Sequence, residues 1–134
     1  MSFSKTALIS ATAIAFATFV SGAAFAADAA RGAKIYEEQG CNGCHAAKEV
    51  LVGPPHCGVV GREAGSIEGY AYSEVMRSSG LTWDEQNLNQ FIESPLTFLS
   101  GTNMGFAGLF DEKDRTDLIE FLKTQRAAGS PDCQ

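Results

Sequence analysis

The spacing of apolar residues predicts helices near both ends of the chain and an irregular region between them. Residues 29–39 place alanine and tyrosine side chains on one stripe at helical spacing. Asp28 precedes this stripe as a candidate N-cap, and Gly40 follows it as a candidate left-handed terminator. A short helix is also predicted over residues 73–78, and no stretch alternates with the period of a strand. The pattern therefore predicts an all-α fold.

Two more helices are predicted in the second half of the chain. Residues 82–85, Thr-Trp-Asp-Glu, have the capping-box pattern, and apolar residues then recur at helical spacing. Pro95 disfavours helical backbone angles at the residue before it, Ser94, and is therefore expected to end that helix. A last helix is predicted to start near Asp111. Its apolar face holds Leu118, Phe121 and Leu122.

Glycine and proline interrupt the region between residues 40 and 70. No period of 2 or 3.6 is sustained there, which indicates loops rather than sheet. A long segment without regular structure is unusual inside a compact domain. It becomes reasonable if the loops pack on a large, rigid prosthetic group.

The N-terminal segment, residues 1–26, has the features of a secretory signal peptide. Lys5 gives a positive start, residues 7–20 form an apolar run, and small residues end the segment at Ala26. The run is short for a membrane span of about 20 residues, and no basic flank follows it. We therefore expect cleavage after Ala26, export to the periplasm, and one mature domain over residues 27–134.

The charge balance argues against nucleic-acid binding. The chain has 10 basic and 16 acidic residues, so loss of Lys5 with the signal peptide would take the formal charge from −6 to about −7. A polyanion of this kind is repelled by nucleic acid and by acidic membrane surfaces. We expect no nucleic-acid partner, no stable membrane anchor, and docking partners that offer a basic or apolar face.

The sequence Cys-Asn-Gly-Cys-His, residues 41–45, carries the strongest chemical signal. A structural zinc site needs four ligands, and the remaining cysteines, Cys57 and Cys133, form no second pair. A redox-active dithiol is expected in a strand–helix–strand setting, which the pattern does not predict. The third interpretation is covalent attachment of haem.

Haem attachment accounts for the spacing best. Two thioether bonds to the vinyl groups need sulfurs about one helical turn apart, which Cys41 and Cys44 provide. The next residue, His45, then falls under the iron as an axial ligand. Met104, in a glycine-bordered loop, is the candidate ligand on the opposite face, although a loop methionine can also fill a gap. Met76 falls within a predicted helix and is expected to be a packing residue.

The chain from about Gly32 to Lys123 resembles the class I cytochromes c, the family of mitochondrial cytochrome c and its small bacterial relatives. The matching stretches occur in the family's order. They are GAKIYEEQGCNGCH, VGPPHCGVVGREAG, GYAYS, GLTWDEQNLNQFIESP, GTNMGFAG and DRTDLIEFLK. The resemblance implies the cytochrome c fold, in which the N- and C-terminal helices pack together and loops wrap one covalently bound haem c.

The resemblance also implies roles for individual residues. Cys41 and Cys44 match the thioether cysteines. His45 and Met104 match the two axial ligands of the iron. Pro54 matches the proline whose carbonyl accepts the ring N–H of the proximal histidine. The groups that hydrogen-bond or neutralise the haem propionates are matched by Arg62, Tyr72, Ser73, Trp83 and Thr102. The plainer alternative is that the arginine is a surface cation and the tryptophan a core aromatic residue.

Three features concern the helix contact and the departures from the family. Gly32 and Tyr36 match the contact between the first and last helices, where a glycine lets the two backbones approach closely. His56 stands where relatives usually have an apolar residue, and we expect a satisfied core or rim histidine rather than a rival iron ligand. Cys57 and Cys133 are extra to the family pattern, and the hypothesis is that they form a disulfide in the oxidising compartment.

These features predict a soluble periplasmic one-electron carrier that is not an enzyme. An iron with a histidine and a methionine ligand has no open position for a substrate and favours reversible one-electron transfer. The expected partners are redox proteins or membrane electron-transfer complexes that dock transiently on a monomer. The alternative is a haem-based small-ligand sensor or peroxidase-like enzyme whose methionine detaches.

Overall fold

The computed structural model describes residues 26–125. No strand occurs among these residues, and one isolated bridge joins Glu63 and Thr82. The all-α prediction is therefore confirmed. Residues 1–25 of the predicted signal peptide and Cys133 of the predicted disulfide lie outside the described residues. The elements in chain order are α1 (Ala29–Glu38), a 3₁₀ turn (Cys41–Gly43), α2 (Glu74–Arg77), α3 (Glu85–Glu93), α4 (Pro95–Phe98) and α5 (Glu112–Thr124).

Single residues determine both ends of α1. The Asp28 side chain accepts hydrogen bonds from the backbone N–H groups of Ala30 at 2.9 Å and Arg31 at 3.1 Å. Gly40 adopts a φ of 71° after the helix, in the left-handed region that glycine enters without steric cost. Both predicted ends are confirmed.

The start of α3 differs from the predicted capping box. Asp84, not Thr82, is the N-cap, and its side chain accepts the Asn87 N–H at 2.7 Å. Thr82 is held in an extended segment by its bridge to Glu63, so it cannot begin a helix. The prediction was wrong because a contact distant in the sequence decides this backbone. Pro95 follows the end of α3 as expected, and it also opens the short helix α4.

Helices α1 and α5 pack together at Gly32, as the resemblance implied. A Cβ atom added to Gly32 would overlap the Asp117 carbonyl oxygen and lie 2.9 Å from Phe121 Cβ. The Tyr36 ring packs on the Phe121 ring with centroids 5.2 Å apart. A side chain at residue 32 would therefore force the two helices apart.

Asp117 ties the start of α1 to the middle of α5. Its side chain is completely buried and accepts hydrogen bonds from the Asp28 N–H at 2.8 Å, from Arg31 Nη1 at 2.6 Å and from Lys113 Nζ. Burial alone would raise the pKa of Asp117, but the hydrogen bonds from Lys113 and Arg31 outweigh it. They lower that pKa from 3.8 to about 2.

The Asp117 cluster predicts an acid-sensitive contribution to stability. Because the folded pKa lies below the unfolded value of 3.8, the carboxylate stabilises the fold above about pH 4, and this contribution is lost as the pH falls towards 2. We expect Asp117→Asn to lower the free energy of unfolding at pH 7 by about 2 kcal/mol, because two charge-assisted hydrogen bonds are weakened. It should also flatten the pH dependence between pH 4 and 2, measured by denaturant titration of the haem-loaded protein.

Asp114→Asn is the matched control for that experiment. Asp114 also pairs with Arg31, but its side chain is 25% exposed, so we expect a loss of only about 0.5 kcal/mol. Equal losses for the two variants would contradict the role given to Asp117.

Helices α3 and α5 supply six of the twelve buried apolar side chains in the core of the described residues. Five of these six side chains face one cavity. They are Leu88, Phe91, Ile92, Leu118 and Leu122. Within residues 26–125, no helix has the length and apolar character needed to cross a membrane.

Candidate haem-binding site

The structure gathers the predicted haem-site residues around one cavity of about 490 Å³. Residues of α3 and α5 line it together with the loop segments 40–62 and 102–106. Cys57 is partly buried and does not line the cavity. The predicted residues in the lining are Cys41, Cys44, His45, Pro54, Arg62, Tyr72, Ser73, Trp83, Thr102 and Met104.

The 3₁₀ turn after α1 presents the two cysteines. The N–H groups of Cys44 and His45 both donate to the Cys41 carbonyl, at 3.1 and 2.8 Å, which closes a tight turn. Cys41 and Cys44 are both free thiols. Burial raises the pKa of Cys41, whereas the Cys44 side chain is exposed. The turn therefore holds both sulfur atoms on the wall of the cavity.

The imidazole of His45 has a fixed tautomer. Its Nδ1 atom lies 2.8 Å from the Pro54 carbonyl oxygen, which can only accept, so Nδ1 carries the proton. Burial lowers the pKa of His45, which favours the neutral ring. The lone pair of Nε2 is then available to a metal ion.

Gly53 is the functional residue that the sequence pattern did not single out. A Cβ atom at this position would overlap Cε1 of His45 and lie 2.6 Å from Nδ1 and 2.8 Å from Nε2. The Gly53 N–H also donates to the Cys44 carbonyl at 2.8 Å. The backbone of Gly53 thus forms a cradle for the imidazole. The only signal in the sequence was a glycine directly before Pro54.

The loop that carries Met104 is anchored on both sides. The Met104 N–H donates to Thr102 Oγ1 at 3.3 Å. The Leu109 N–H donates to the carbonyl of Ile92 in α3 at 2.9 Å. Buried Arg115 of α5 donates to the Leu109 and Phe110 carbonyls, each at 2.9 Å. Helices α3 and α5 therefore fix the end of the loop that follows Met104. 

Arg62 contributes an uncompensated positive charge to the cavity. Its guanidinium donates to the carbonyls of Pro55 and Cys57, each at 2.9 Å, and it pairs with no carboxylate among the described residues. Burial disfavours the cation and so lowers the pKa of Arg62. Trp83 is buried nearby, and its backbone N–H donates to the Arg62 carbonyl at 2.8 Å.

Two further predicted polar residues, Tyr72 and Ser73, also line the cavity. Ser73 is the N-cap of α2, with its hydroxyl 3.4 Å from the Met76 N–H. The Tyr72 ring packs edge-on against Tyr70 with centroids 4.5 Å apart, and burial raises the pKa of Tyr72. Both hydroxyls can still donate a hydrogen bond to a group in the cavity.

Comparison with known proteins identifies the family. The sequence profile described as Cytochrome c matches residues 29–126. The chain belongs to the cytochrome c family. It is therefore a class I c-type cytochrome that binds one covalently attached haem c and acts as a haem-based electron carrier. The predictions of family, fold and cofactor are confirmed.

Similar proteins cover most of this chain. Cytochrome c2 of Rhodomicrobium vannielii is 42% identical over 101 residues, which are 73% of this chain and 79% of that protein. Cytochrome c of Tetrahymena pyriformis is 45% identical over 98 residues, 72% of this chain and 88% of that protein. Among solved structures, cytochrome cH from Methylobacterium extorquens is 43% identical with a TM-score of 0.69, covering 72% of this chain and 98% of that one.

The lining of the cavity fits haem c on its own chemistry. The walls from α3 and α5 are apolar and suit a flat macrocycle. The free thiols have the spacing for two thioether bonds, and the Gly53 cradle leaves room for the imidazole. The guanidinium of Arg62 pairs with no carboxylate of residues 26–125 and suits a propionate, since a buried carboxylate needs such a partner.

The Gly53 cradle predicts that even a methyl group disrupts the site. We expect Gly53→Ala to displace the His45 ring and break its bond to Pro54, because the added Cβ would overlap the imidazole. The haem-loaded variant should lose about 2–3 kcal/mol of stability and show an altered visible spectrum. Chemical denaturation and absorption spectroscopy measure the two effects. Gly43→Ala is the control, because a Cβ there meets no atom of residues 26–125 within 4 Å. Identical behaviour of the two variants would contradict the cradle.

His56 occupies the interior beside His45 rather than the opposite side of the cavity. Its ring stacks on the His45 ring with centroids 4.0 Å apart and an interplanar angle of 15°. Burial, with the neighbouring His45 and Arg62, holds the pKa of His56 well below 6.5. The side chain is therefore a neutral, hydrogen-bonded histidine in contact with Tyr36, as expected for a satisfied core residue.

Proposed function

We propose that this cytochrome is a soluble periplasmic one-electron carrier whose haem iron is held by His45 and Met104. The observation that carries the proposal is the common cavity. One wall offers Nε2 of an imidazole whose Nδ1 is already committed to Pro54, and the same cavity is lined by the thioether of an anchored loop. When both axial positions are filled by protein, the bound haem supplies a reversible ferric–ferrous couple.

The two cysteines are proposed to attach the cofactor. Cys41 and Cys44 each contribute a thiol that adds across a vinyl group, so that the polypeptide and the porphyrin become one covalent unit. Pro54 orients the proximal ring and raises its basicity through the Nδ1–H bond.

The polar residues of the lining are proposed to hold the propionates. Arg62 neutralises one carboxylate, and the hydroxyl and indole groups donate hydrogen bonds that offset the loss of hydration. This proposal is supported by the Arg62 guanidinium, which has no carboxylate partner in the part of the chain that the structure describes, and by the shared cavity. The donors are Tyr72, Ser73, Trp83 and Thr102.

The rim of the cavity supports transient docking through uncharged groups. Among the described residues, every exposed residue that also lines the cavity is uncharged. Val52 is 75% exposed on this rim, and Val50 and Leu51 extend the apolar surface. We propose that the monomer docks on redox proteins or membrane electron-transfer complexes here, since short-lived encounters bury little area. The rim residues are Gln39, Gly40, Cys44, Val52, Asn103 and Gly105.

A periplasmic location and a mature domain over residues 27–134 are proposed from the predicted signal peptide of residues 1–26. N-terminal sequencing of the protein purified from the periplasmic fraction tests both. Sequence beginning at Ala27 is expected, and a chain that retains residue 1 would contradict the proposal.

A disulfide between Cys57 and Cys133 is also proposed. The N–H of Gly58 donates to the carbonyl of Gln125, so the loop after Cys57 lies against the end of α5. Chain from that point can reach back, because each residue spans up to about 3.5 Å. Such a bridge stabilises by about 4 kcal/mol in chain-entropy terms. Alkylation of the denatured holoprotein without reductant should add no label, whereas two added labels in the intact mass would exclude the bridge.

The test of the carrier function is the spectrum and redox behaviour of the purified holoprotein. We expect haem that stays with the chain on a denaturing gel, a six-coordinate low-spin ferric spectrum with a methionine–sulfur charge-transfer band, and a reversible one-electron titration. A high-spin ferric spectrum with ready binding of carbon monoxide would instead support the haem sensor or peroxidase-like alternative.

A further inference from the structure

His56 packs on His45, the proposed proximal ligand, but the proposed carrier function assigns no role to His56. Its ring lies parallel to the His45 ring, within 15°, at a centroid distance of 4.0 Å. Stacked aromatic rings at this separation restrict each other's rotation, because turning one ring drives its edge into the other. His56 therefore limits the angles that the His45 imidazole can adopt.

His56 is itself fixed by a hydrogen bond whose direction follows from elementary chemistry. The Tyr36 hydroxyl oxygen lies 3.0 Å from the His45 carbonyl oxygen and 3.0 Å from His56 Nδ1. The carbonyl can only accept, and the phenol has one proton, so Tyr36 donates to the His45 carbonyl. His56 Nδ1–H must then donate to the Tyr36 oxygen.

The result is a continuous link from helix α1 to the proximal ring. Tyr36, whose ring packs on Phe121 of α5, holds both the backbone of His45 and the ring of His56. The stacked His56 acts on the face of the His45 ring, while Pro54 acts on its Nδ1. His56 and Pro54 thereby meet the ring from different directions, in addition to the Gly53 backbone.

We propose that His56, held by Tyr36, is a positioning residue that sets the rotational angle of the proximal imidazole about the bond between its nitrogen and the iron. This inference rests on the proposed ligation by His45. The angle of an axial imidazole plane determines how its π-orbital mixes with the two iron d-orbitals of π symmetry. It therefore controls the electronic asymmetry of the ferric state. Outer contacts of this kind orient metal ligands without touching the metal.

The experiment compares holoproteins with His56→Leu, His56→Phe and Tyr36→Phe. His56→Leu removes both the stack and the hydrogen bond, whereas His56→Phe keeps a stacked ring without the Nδ1–H donor. Tyr36→Phe keeps the packing on Phe121 and removes the hydroxyl. The readouts are the low-spin electron paramagnetic resonance g-values and the spread of the haem methyl resonances in the ferric NMR spectrum.

We expect His56→Leu to change the g-value spread and the methyl shift pattern while the iron stays low-spin. Tyr36→Phe and His56→Phe should each give a smaller change of the same kind. The Tyr36→Phe/His56→Phe double variant should change the spectra no more than the larger single variant, because both substitutions remove the same bond.

Ile119→Val is the control for a general loss of packing. Ile119 is 3% exposed in α5 and does not line the cavity, so this substitution should cost about 1 kcal/mol of stability and leave both spectra unchanged. Spectra of His56→Leu that match the unsubstituted protein would overturn the proposal and leave His56 as a packing residue. If His56→Leu does not fold, unchanged spectra of Tyr36→Phe and His56→Phe together have the same consequence. Failure of the ligation itself would show in the unsubstituted protein, so the two failures are distinguishable.

Discussion

Replacing Met104 by alanine should lower the reduction potential of the bound haem by about 0.2 V, within the range of about 0.8 V that axial ligands cover. A thioether sulfur is a soft ligand that favours the ferrous state, and its loss favours the ferric state. The charge-transfer band of the methionine–iron bond should disappear at the same time. Potentiometric titration followed at the haem absorption bands measures both changes.

Met76→Ala is the matched control, because this methionine also lines the cavity. Met76 is 8% exposed and sits in α2, where its backbone is fixed by the Ser73 cap. Met104 is partly buried in a loop that its own Thr102 hydroxyl holds before it and that α3 and α5 hold at Leu109. We expect Met76→Ala to lower stability by about 2–3 kcal/mol through the cavity it leaves, with the charge-transfer band retained.

The opposite pattern would refute the assignment of the distal ligand. If Met76→Ala abolished the band and Met104→Ala kept both the band and the potential, the iron would be held by the α2 methionine. If neither substitution moved the potential, no methionine would be a ligand, and the one-electron carrier with histidine–methionine ligation would have to be given up.

Helix ends that depend on one nearby side chain could be predicted from the sequence. Asp28 and Asp111 each accept a backbone N–H two or three residues later, and Gly40 turns the chain by its own φ. These interactions act over a few residues, so the local pattern contains all that determines them. The same holds for the cysteine spacing and the histidine of residues 41–45.

Contacts between distant parts of the chain could not be predicted from the pattern. Thr82 matches a capping box, but its pairing with Glu63 keeps it extended, and the cap moves to Asp84. Asp117 lies in a charged stretch of α5 and would be taken for a surface residue. It is buried because Arg31 and the Asp28 amide of α1 lie on it.

Some residues of the candidate site could likewise be predicted from the sequence, and others could not. The resemblance to the family supplied Pro54 and the polar lining, since those positions are matched by motif and not by local chemistry. In the sequence, Gly53 indicated only a loop. Its contact with the His45 ring depends on how residues 45–53 fold back. The stacking of His56 likewise needed coordinates, since nothing in the spacing indicates which ring it meets.

Gly32→Ala should lower the free energy of unfolding of the holoprotein by about 3 kcal/mol, although alanine is the better helix former. In an exposed helical position the change from glycine to alanine stabilises by about 1 kcal/mol. At Gly32 the new Cβ would overlap the Asp117 carbonyl oxygen, which is a backbone atom and cannot rotate away. It would also lie 2.9 Å from Phe121 Cβ. The helices must therefore separate, and the close contact that buries Asp117 and orders Tyr36 is weakened.

The pair Lys34→Ala and Lys34→Gly provides the scale for this prediction. Lys34 is exposed in the same helix, so the difference between its two variants measures helix propensity alone. Subtracting that term from the Gly32→Ala result isolates the steric cost at the crossing. Denaturant titration at neutral pH gives all the values. A Gly32→Ala protein as stable as the parent, or more stable, would mean that α1 can shift along α5 without loss. In that case the glycine would not be what fixes the distance between the two helices that flank the haem cavity.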